Sequence, residues 1–369
     1  LINSQLRDRL VDTIALLNIP GVGRGRFTRL VKQFGSAGEA LAARREDLIA
    51  VPGLSEKTAD AIKSGYDGDR ARQIAARIVQ LGWDVLFPDI DGYPPMLKQI
   101  HDCPPVLFRT GQTPTGDEKC IAIVGTRHAS EAGRRFTAGL AAGLVEAGLT
   151  VVSGMAEGID SAAHRGALSA GGKTWAVWGT PLDKVYPQSN VELAGHIRAN
   201  GAVFSEYFPD IPFEPSNFPE RNRIISGLSE GVIVVEASHR SGALITAQYA
   251  IDQGREIFAV PGSPGNKRSI GTNGLIKMGA KLLTCANDVL DEIPRLKGEI
   301  IARRFKQEPD LTEIERRIVD CLAREACQID TLCREVKLPV SELMEYLLAL
   351  ELKGVVEELS GKRFVLADR

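Results

Sequence analysis

Apolar positions change their period along the chain, and the changes mark its parts. Between residues 5 and 80 they recur at three and four, as in Leu6, Leu10, Ile14 and Leu17 and again in Phe27, Leu30, Val31 and Phe34. That spacing predicts short amphipathic helices. The turn Ile19-Pro20-Gly21-Val22-Gly23 separates two of them. It returns 32 residues later as Val51-Pro52-Gly53-Leu54-Ser55, followed by Lys57-Thr58-Ala59 and Ile62. The pattern is an internal repeat of helix, glycine turn and helix. Residues 81–118 are rich in proline and read as extended or turn-like. Trp83, Leu86, Phe87, Leu97, Leu107 and Phe108 need burial there, so this stretch is the approach to the next domain rather than a free linker.

From residue 119 the period alternates between strand and helix. Apolar runs fall at 121–124, 150–152, 175–178, 202–204, 232–235 and 257–260, with helical patterns at 131–147, 159–170, 190–199 and 242–253. Short apolar strands with interleaved helices predict a doubly wound, Rossmann-like parallel sheet. Residues 297–310 read as a linker. Residues 311–366 give three helical patterns and a terminal hairpin around Ser360-Gly361, which fits a winged helix. The expected organisation is an all-α domain over 1–80, an α/β domain over 81–296, a linker over 297–310 and a winged-helix domain over 311–369.

Composition narrows the function classes. Of 369 residues, 44% are hydrophobic and 25% charged, which suits a globular chain and excludes wholesale disorder. The formal charge of −2 excludes a polybasic protein, so any anion site is a local concentration of charge. Residues 1–80 carry net +4 and residues 310–369 net −4. No run of about 18 apolar residues predicts a membrane span, and no signal peptide is visible at Leu1–Leu10. Six cysteines without a CxxC pair or a Cys/His cluster argue against zinc and for reduced cytosolic thiols.

In an open α/β sheet ligands bind beyond the carboxyl ends of the strands, where strand order reverses. The segments after the predicted strands are Gly125-Thr126-Arg127, Ser153-Gly154, Gly179-Thr180 and Ser238 to Gly242, which includes Ser241. Glycine admits a ligand to the backbone, and helix N-termini aim N–H groups at an anion. The dinucleotide fingerprint is absent, since Arg127 and Ser130 stand where it needs glycine, and there is no P-loop. A fixed Arg127 guanidinium suits a phosphate, or else caps something local. A second cluster, Asn217 to Ile225, places Phe218 beside Arg221 and Arg223 in a loop or first turn. An aromatic beside arginines is the composition of a single-strand platform, while core burial is the other fate of such a phenylalanine. Asp160 and His164, four apart on a predicted helix, are either an acid–base pair, metal ligands without an evident third partner, or a surface hydrogen bond. The Pro-Gly turns of the N-terminal repeat either hold a phosphate or simply turn the chain.

Together these segments resemble the DNA-processing protein A family (DprA, also called Smf). The resemblance rests on IAIVGTR at 121–127, VVSGMAEGIDSAAH at 151–164, YPQSN at 186–190, FPERNRIISGLS at 218–229, VVEASHRSGALITA at 234–247 and FAVPG at 258–262. The N-terminal repeat resembles a SAM-like or helix-hairpin-helix module. The resemblance implies a cytoplasmic, non-catalytic protein that binds single-stranded DNA without a cofactor. It also implies that the protein shields incoming strands in natural transformation, helps load the recombinase RecA, and pairs as a homodimer through its Rossmann-like domain. It assigns phosphate contacts to Gly125, Thr126 and Arg127, with Ser153, Gly154, Arg221, Arg223, Ser241 and Gly242 around them. Phe218 is then the base platform and Lys173 a rim contact.

Two other classes compete. Phosphoribohydrolases of the lysine-decarboxylase-like group carry a P-G-G-x-G-T-x-x-E stretch at the later switch point. Here Gln248 and Tyr249 fall where its glutamate acts. A nucleotide-sensing regulator would read duplex DNA with the winged helix. Residues 340–352, the expected recognition helix, hold Glu342, Glu345 and Glu351 and no basic residue. That charge predicts a protein–protein surface or an autoregulatory cover instead.

Overall fold

A computed structural model describes residues 3–210, 212, 214–294, 296, 312–322, 327–352, 355–359 and 363–366. The expected linker at 297–310 and the Ser360-Gly361 turn lie outside them. The repeat at the start of the chain forms six helices, α1 (Ser4–Leu17), α2 (Arg24–Phe34), α3 (Ala37–Ala42), α4 (Arg45–Ile49), α5 (Glu56–Lys63) and α6 (Gly68–Gln80). Asn3, Ser36, Ser55 and Asp67 cap four of them through side-chain oxygens. Both turns need a left-handed glycine, with φ of +87° at Gly21 and +77° at Gly53. Arginines of α2 tie the two turns together: Arg26 donates to the Gly21 and Gly53 carbonyls, and Arg29 to that of Pro52.

The proline-rich approach forms part of the sheet. It supplies β1 (Asp84–Leu86) and β2 (Leu107–Gly111), with a one-turn helix, α7 (Pro95–Lys98), between them. The expected parallel strands follow as β3 (Cys120–Val124), β4 (Thr150–Ser153), β5 (Thr174–Val177), β6 (Ala202–Ser205), β7 (Gly231–Val234) and β8 (Glu256–Ala259), and β9 (Lys281–Leu282) ends the sheet. The order is β1-β2-β6-β5-β4-β3-β7-β8-β9. From β6 to β9 every pairing is parallel, while β1 and β2 pair antiparallel along the β6 edge. The sheet is therefore mixed but mostly parallel. The chain runs outward from β3 to β6 and returns through β7 on the other side of β3, so the switch point lies between β3 and β7.

The connecting helices are α8 (Glu131–Glu146), α9 (Ile159–Ser169), α10 (Val191–Asn200), α11 (Asn217–Gly227), α12 (Gly242–Asp252), α13 (Ile270–Lys277) and α14 (Asn287–Glu292). Alternation along the strands serves two cores. In β5 and just beyond it, Trp175 and Val177 pack with Ile224, Ala243 and Leu275, whereas Ala176 and Trp178 pack on the other face. That second core is continuous with Leu10, Ile14, Leu30 and Ile74 of the N-terminal helices. The helical region and the sheet accordingly share one compact unit, Leu1–Glu292, with Ile293–Arg369 as a second. The second unit has helices Glu313–Leu322, Ile329–Val336 and Val340–Leu352 and a three-stranded sheet. Ile318, Leu332, Leu343, Leu347 and Phe364 form its own core, the architecture of a winged helix.

Candidate nucleic-acid interface

The carboxyl ends of β3 and β7 open into a cleft of about 280 Å³. β3 delivers Gly125, Thr126 and Arg127, the loop after β7 delivers Ser238, Ser241 and Gly242, and α11 delivers Phe218, Arg221 and Asn222. Gly125 is required by packing, because a Cβ there would lie 2.5 Å from Ile159. The Thr126 N–H donates to the Glu236 carbonyl and the Thr126 hydroxyl accepts from the His128 N–H, which fixes the loop under Arg127. Arg127 is exposed, has no ion-pair partner among the described residues, and holds its guanidinium 5.6 Å from the centroid of the half-buried Phe218 ring. A Cβ at Gly179 would lie 2.8 Å from that ring, so glycine there makes room for it.

Two of the local anion donors are already taken. At the start of α8 the Glu236 carboxylate accepts from the Ser130 N–H at 2.9 Å and from its hydroxyl at 2.6 Å. A carboxylate thus occupies the helix N-terminus that a dinucleotide would use in a related sheet. After β4 the Asp160 carboxylate accepts from the N–H groups of Gly154 and Ala156, at 3.1 and 3.4 Å. Burial pushes the Asp160 pKa up to about 6, against the pull of Arg221. The α12 start differs: Ser241 caps it, and Gly242 is exposed with nothing near its Cβ direction. Arg127 and the α12 N-terminus are therefore the groups of this cleft that no carboxylate occupies among the described residues.

The remaining expected residues divide. Arg221 and Arg223 lie in the first turns of α11, not in a loop, and point apart. Arg221 is buried on the cleft floor, where it donates to the Gly154 and Val177 carbonyls, and burial brings its pKa down to about 10. A Cβ at Gly154 would lie 2.7 Å from Arg221 Nη2 and 2.8 Å from Asp160 Oδ2, so a side chain there would crowd both. Arg223 turns from the cleft into a buried bidentate pair with Glu206, at 2.6 and 2.7 Å, and donates to the Asp102 carbonyl. Ser153 is fully buried, its hydroxyl donating to the Ile123 carbonyl. Lys173 precedes β5 at the amino end of the sheet, opposite the cleft, where it pairs with Glu118 at 3.4 Å. Three of the expected contacts thus stand apart from the cleft, Arg223 through charge neutralisation, Ser153 through burial and Lys173 through position.

Asp160 and His164 do not form a pair. His164 is fully buried, its Nδ1 lies 2.7 Å from the Thr174 hydroxyl, and burial lowers its pKa to about 3. Among the described residues no group of three His, Cys, Asp or Glu side chains is placed to hold a metal. Gln248 binds Asp252 on the exposed side of α12. Two further contacts brace the loops around the cleft. Asn222 donates to the Gly242 carbonyl at 3.4 Å, and Arg268 Nε donates to the His128 carbonyl at 2.9 Å. Arg268 comes from a loop 140 positions distant, so no local pattern signals it.

Known proteins give the context of this site. A sequence profile for DNA recombination-mediator protein A matches residues 84–294, one for the DprA winged-helix domain matches 305–362, and one for a SAM-like helix-hairpin-helix tandem matches 13–65. Protein Smf of Synechocystis is 32% identical over 95% of this chain and 97% of its own length. Protein Smf of Escherichia coli is 38% identical over 74% and 75%. Among solved structures, DNA processing protein A of Streptococcus pneumoniae superposes with a TM-score of 0.65 at 34% identity, covering 79% of this chain and 98% of that one. The Helicobacter pylori protein, whose structure was described for its single-stranded DNA binding mode, gives 0.52 at 29%, covering 58% and 96%.

Proposed function

The chain belongs to the DNA-processing protein A (DprA/Smf) family, and on that premise we propose that it is a cytoplasmic, non-catalytic protein that binds single-stranded DNA in the cleft between β3 and β7. In this reading it shields incoming strands during DNA uptake and helps load RecA. The observation that carries the reading is the pairing of Arg127 with Phe218 across 5.6 Å at the switch point. A guanidinium for a phosphate beside a ring for a base suits an unpaired strand, because every base offers a π-face and a duplex hides it. The start of α12 adds backbone donors for the same phosphate.

The enzyme reading finds little support in the same cleft. The lining carboxylate, Asp160, is bound by backbone donors, and Gln248 stands where a glycosidic glutamate would act. A homodimer through the α/β domain belongs to the same reading, and it is supported by the edge strand β9, whose Leu282 is 52% exposed.

Binding of labelled oligo-dT and of a duplex of equal length, compared across a salt series, tests the function. The single strand should bind more tightly at every salt concentration. Equal affinity for the two, or release of free adenine on incubation with AMP, would contradict the reading.

A further inference from the structure

On the far side of Phe218 lies a second, smaller cleft of about 120 Å³, lined by Arg127, Gly154, Glu157, Tyr186, Phe218 and Arg221. Tyr186 forms its outer wall. It is 44% exposed, and its ring centroid lies 5.2 Å from that of Phe218 with the planes tilted by 38°. The loop bearing it is pinned. The Ser189 hydroxyl donates to Glu157 Oε1 at 2.8 Å, and the buried Asn190 amide donates to the Met155 carbonyl and the Ser161 hydroxyl, both at 2.9 Å. Tyr186 is thus held as an exposed, oriented ring next to the proposed base platform.

We propose that Tyr186 is a second base-stacking site, which takes the nucleobase adjacent to the one on Phe218. The proposal rests on the reading of the first cleft as a single-strand site. Arg127 and Phe218 line both clefts, so a strand whose phosphate sits on Arg127 passes over Phe218 and reaches Tyr186 next. Arg127, which lines both clefts, is already engaged with the strand's phosphate, and Arg221 is buried and bound to backbone carbonyls, so the outer end offers a phosphate little. The exposed Glu157 carboxylate repels a phosphate, whereas a ring face accepts any base. The two rings stand 5.2 Å apart, close enough for successive nucleotides of one strand to meet them in turn.

The test uses the full-length protein and thymidine oligonucleotides of equal length. One set carries bases throughout, and the other is abasic except for a single thymine. Tyr186→Ala should weaken binding of the fully based strand by about 5–140-fold, the range for one stacked base. It should leave the single-thymine strand unaffected, because that base takes Phe218. Tyr186→Phe should bind as the parent does. Tyr186→Trp should be quenched on adding oligo-dT. The signal is assignable because Trp83, Trp175 and Trp178 are only 4%, 5% and 2% exposed. Equal weakening of both strands would show that Tyr186 merely shapes Phe218 and would overturn the proposal. So would unchanged binding of Tyr186→Ala while Arg127→Ala loses affinity. If Arg127→Ala also binds as the parent does, the single-strand reading of the cleft itself fails.

Discussion

At the scale of single residues, chemical type was legible in the sequence and direction was not. Arg127, Arg221 and Arg223 are all arginines near one strand end. Only Arg127 presents its charge to the cleft rim, while Arg223 spends it on Glu206. Spacing on α11 separates Arg221 from Arg223, but the partner that captures Arg223 comes from another loop. Arg223→Ala leaves the buried Glu206 with Arg24, at 3.7 Å, as its remaining cation and should lower stability by at most about 3–5 kcal/mol, measured by urea unfolding. Phe218→Ala should weaken oligo-dT binding by about 1–3 kcal/mol with little change in its salt dependence, and Phe218→Trp should largely restore it. If Phe218→Ala instead lowers the Tm and leaves binding intact, the ring is a core element.

The two buried titratable groups of α9 make a pH prediction. His164 titrates near 3 in the folded chain and near 6.5 when unfolded. The unfolded chain therefore holds the extra proton, so stability from His164 is complete above about 6.5 and is lost as pH falls toward 3. Asp160 acts in the opposite sense. Its folded pKa near 6 lies above the ordinary carboxylate value, so between about 4 and 6 the folded state binds the proton and offsets part of that loss. His164→Gln should flatten the decline in Tm between pH 6.5 and 4, and Asp160→Asn should steepen it. A parallel Tm profile in both variants would show that neither group titrates as the burial implies.

At the scale of elements, the long apolar runs were legible because a strand buried on both faces needs them. β3 to β8 fall within a residue or two of the runs in the sequence. Among the elements that were not legible, β1, β2 and α11 have clear physical reasons. Prolines at 88, 94, 95, 104 and 105 masked β1 and β2, which they flank rather than interrupt. Pro219 and two arginines hid α11, where proline is tolerated because the first turn has N–H groups to spare. The α8 start was legible as glycine-poor, but its occupation by Glu236 from 106 positions away was not. That cap leads to a further expectation. Glu236→Ala leaves the Ser130 N–H and hydroxyl without their acceptor and should cost about 1–3 kcal/mol of stability, whereas Glu236→Gln should recover part of it. Equal Tm values for the parent and Glu236→Ala would remove the cap from the account.

At the scale of the whole molecule, charge and packing separate the two units. Residues 1–292 form one unit in which the N-terminal helices complete the core beneath the sheet. The glycine turns of those helices are tied to each other by Arg26 and Arg29, so this region serves the fold directly. The winged helix is acidic, with net −4 over residues 310–369, and a duplex reader needs the opposite sign. A chain truncated after Lys297 should bind oligo-dT within a few-fold of full length, and residues 305–369 alone should give no duplex shift at moderate salt. A salt-sensitive duplex shift by that fragment would revive the regulator reading.

The central claim, that a strand is gripped at the switch point through Arg127, is tested most directly by the salt dependence of oligo-dT affinity in the parent and in Arg127→Ala. Removal of one charge-assisted phosphate contact should weaken binding by about 10–150-fold, from about 1.5–3 kcal/mol. The slope of log affinity against log salt should fall by about 0.7, the share of a single phosphate on a single strand. A folded Arg127→Ala protein with the parent's affinity and slope would contradict the claim.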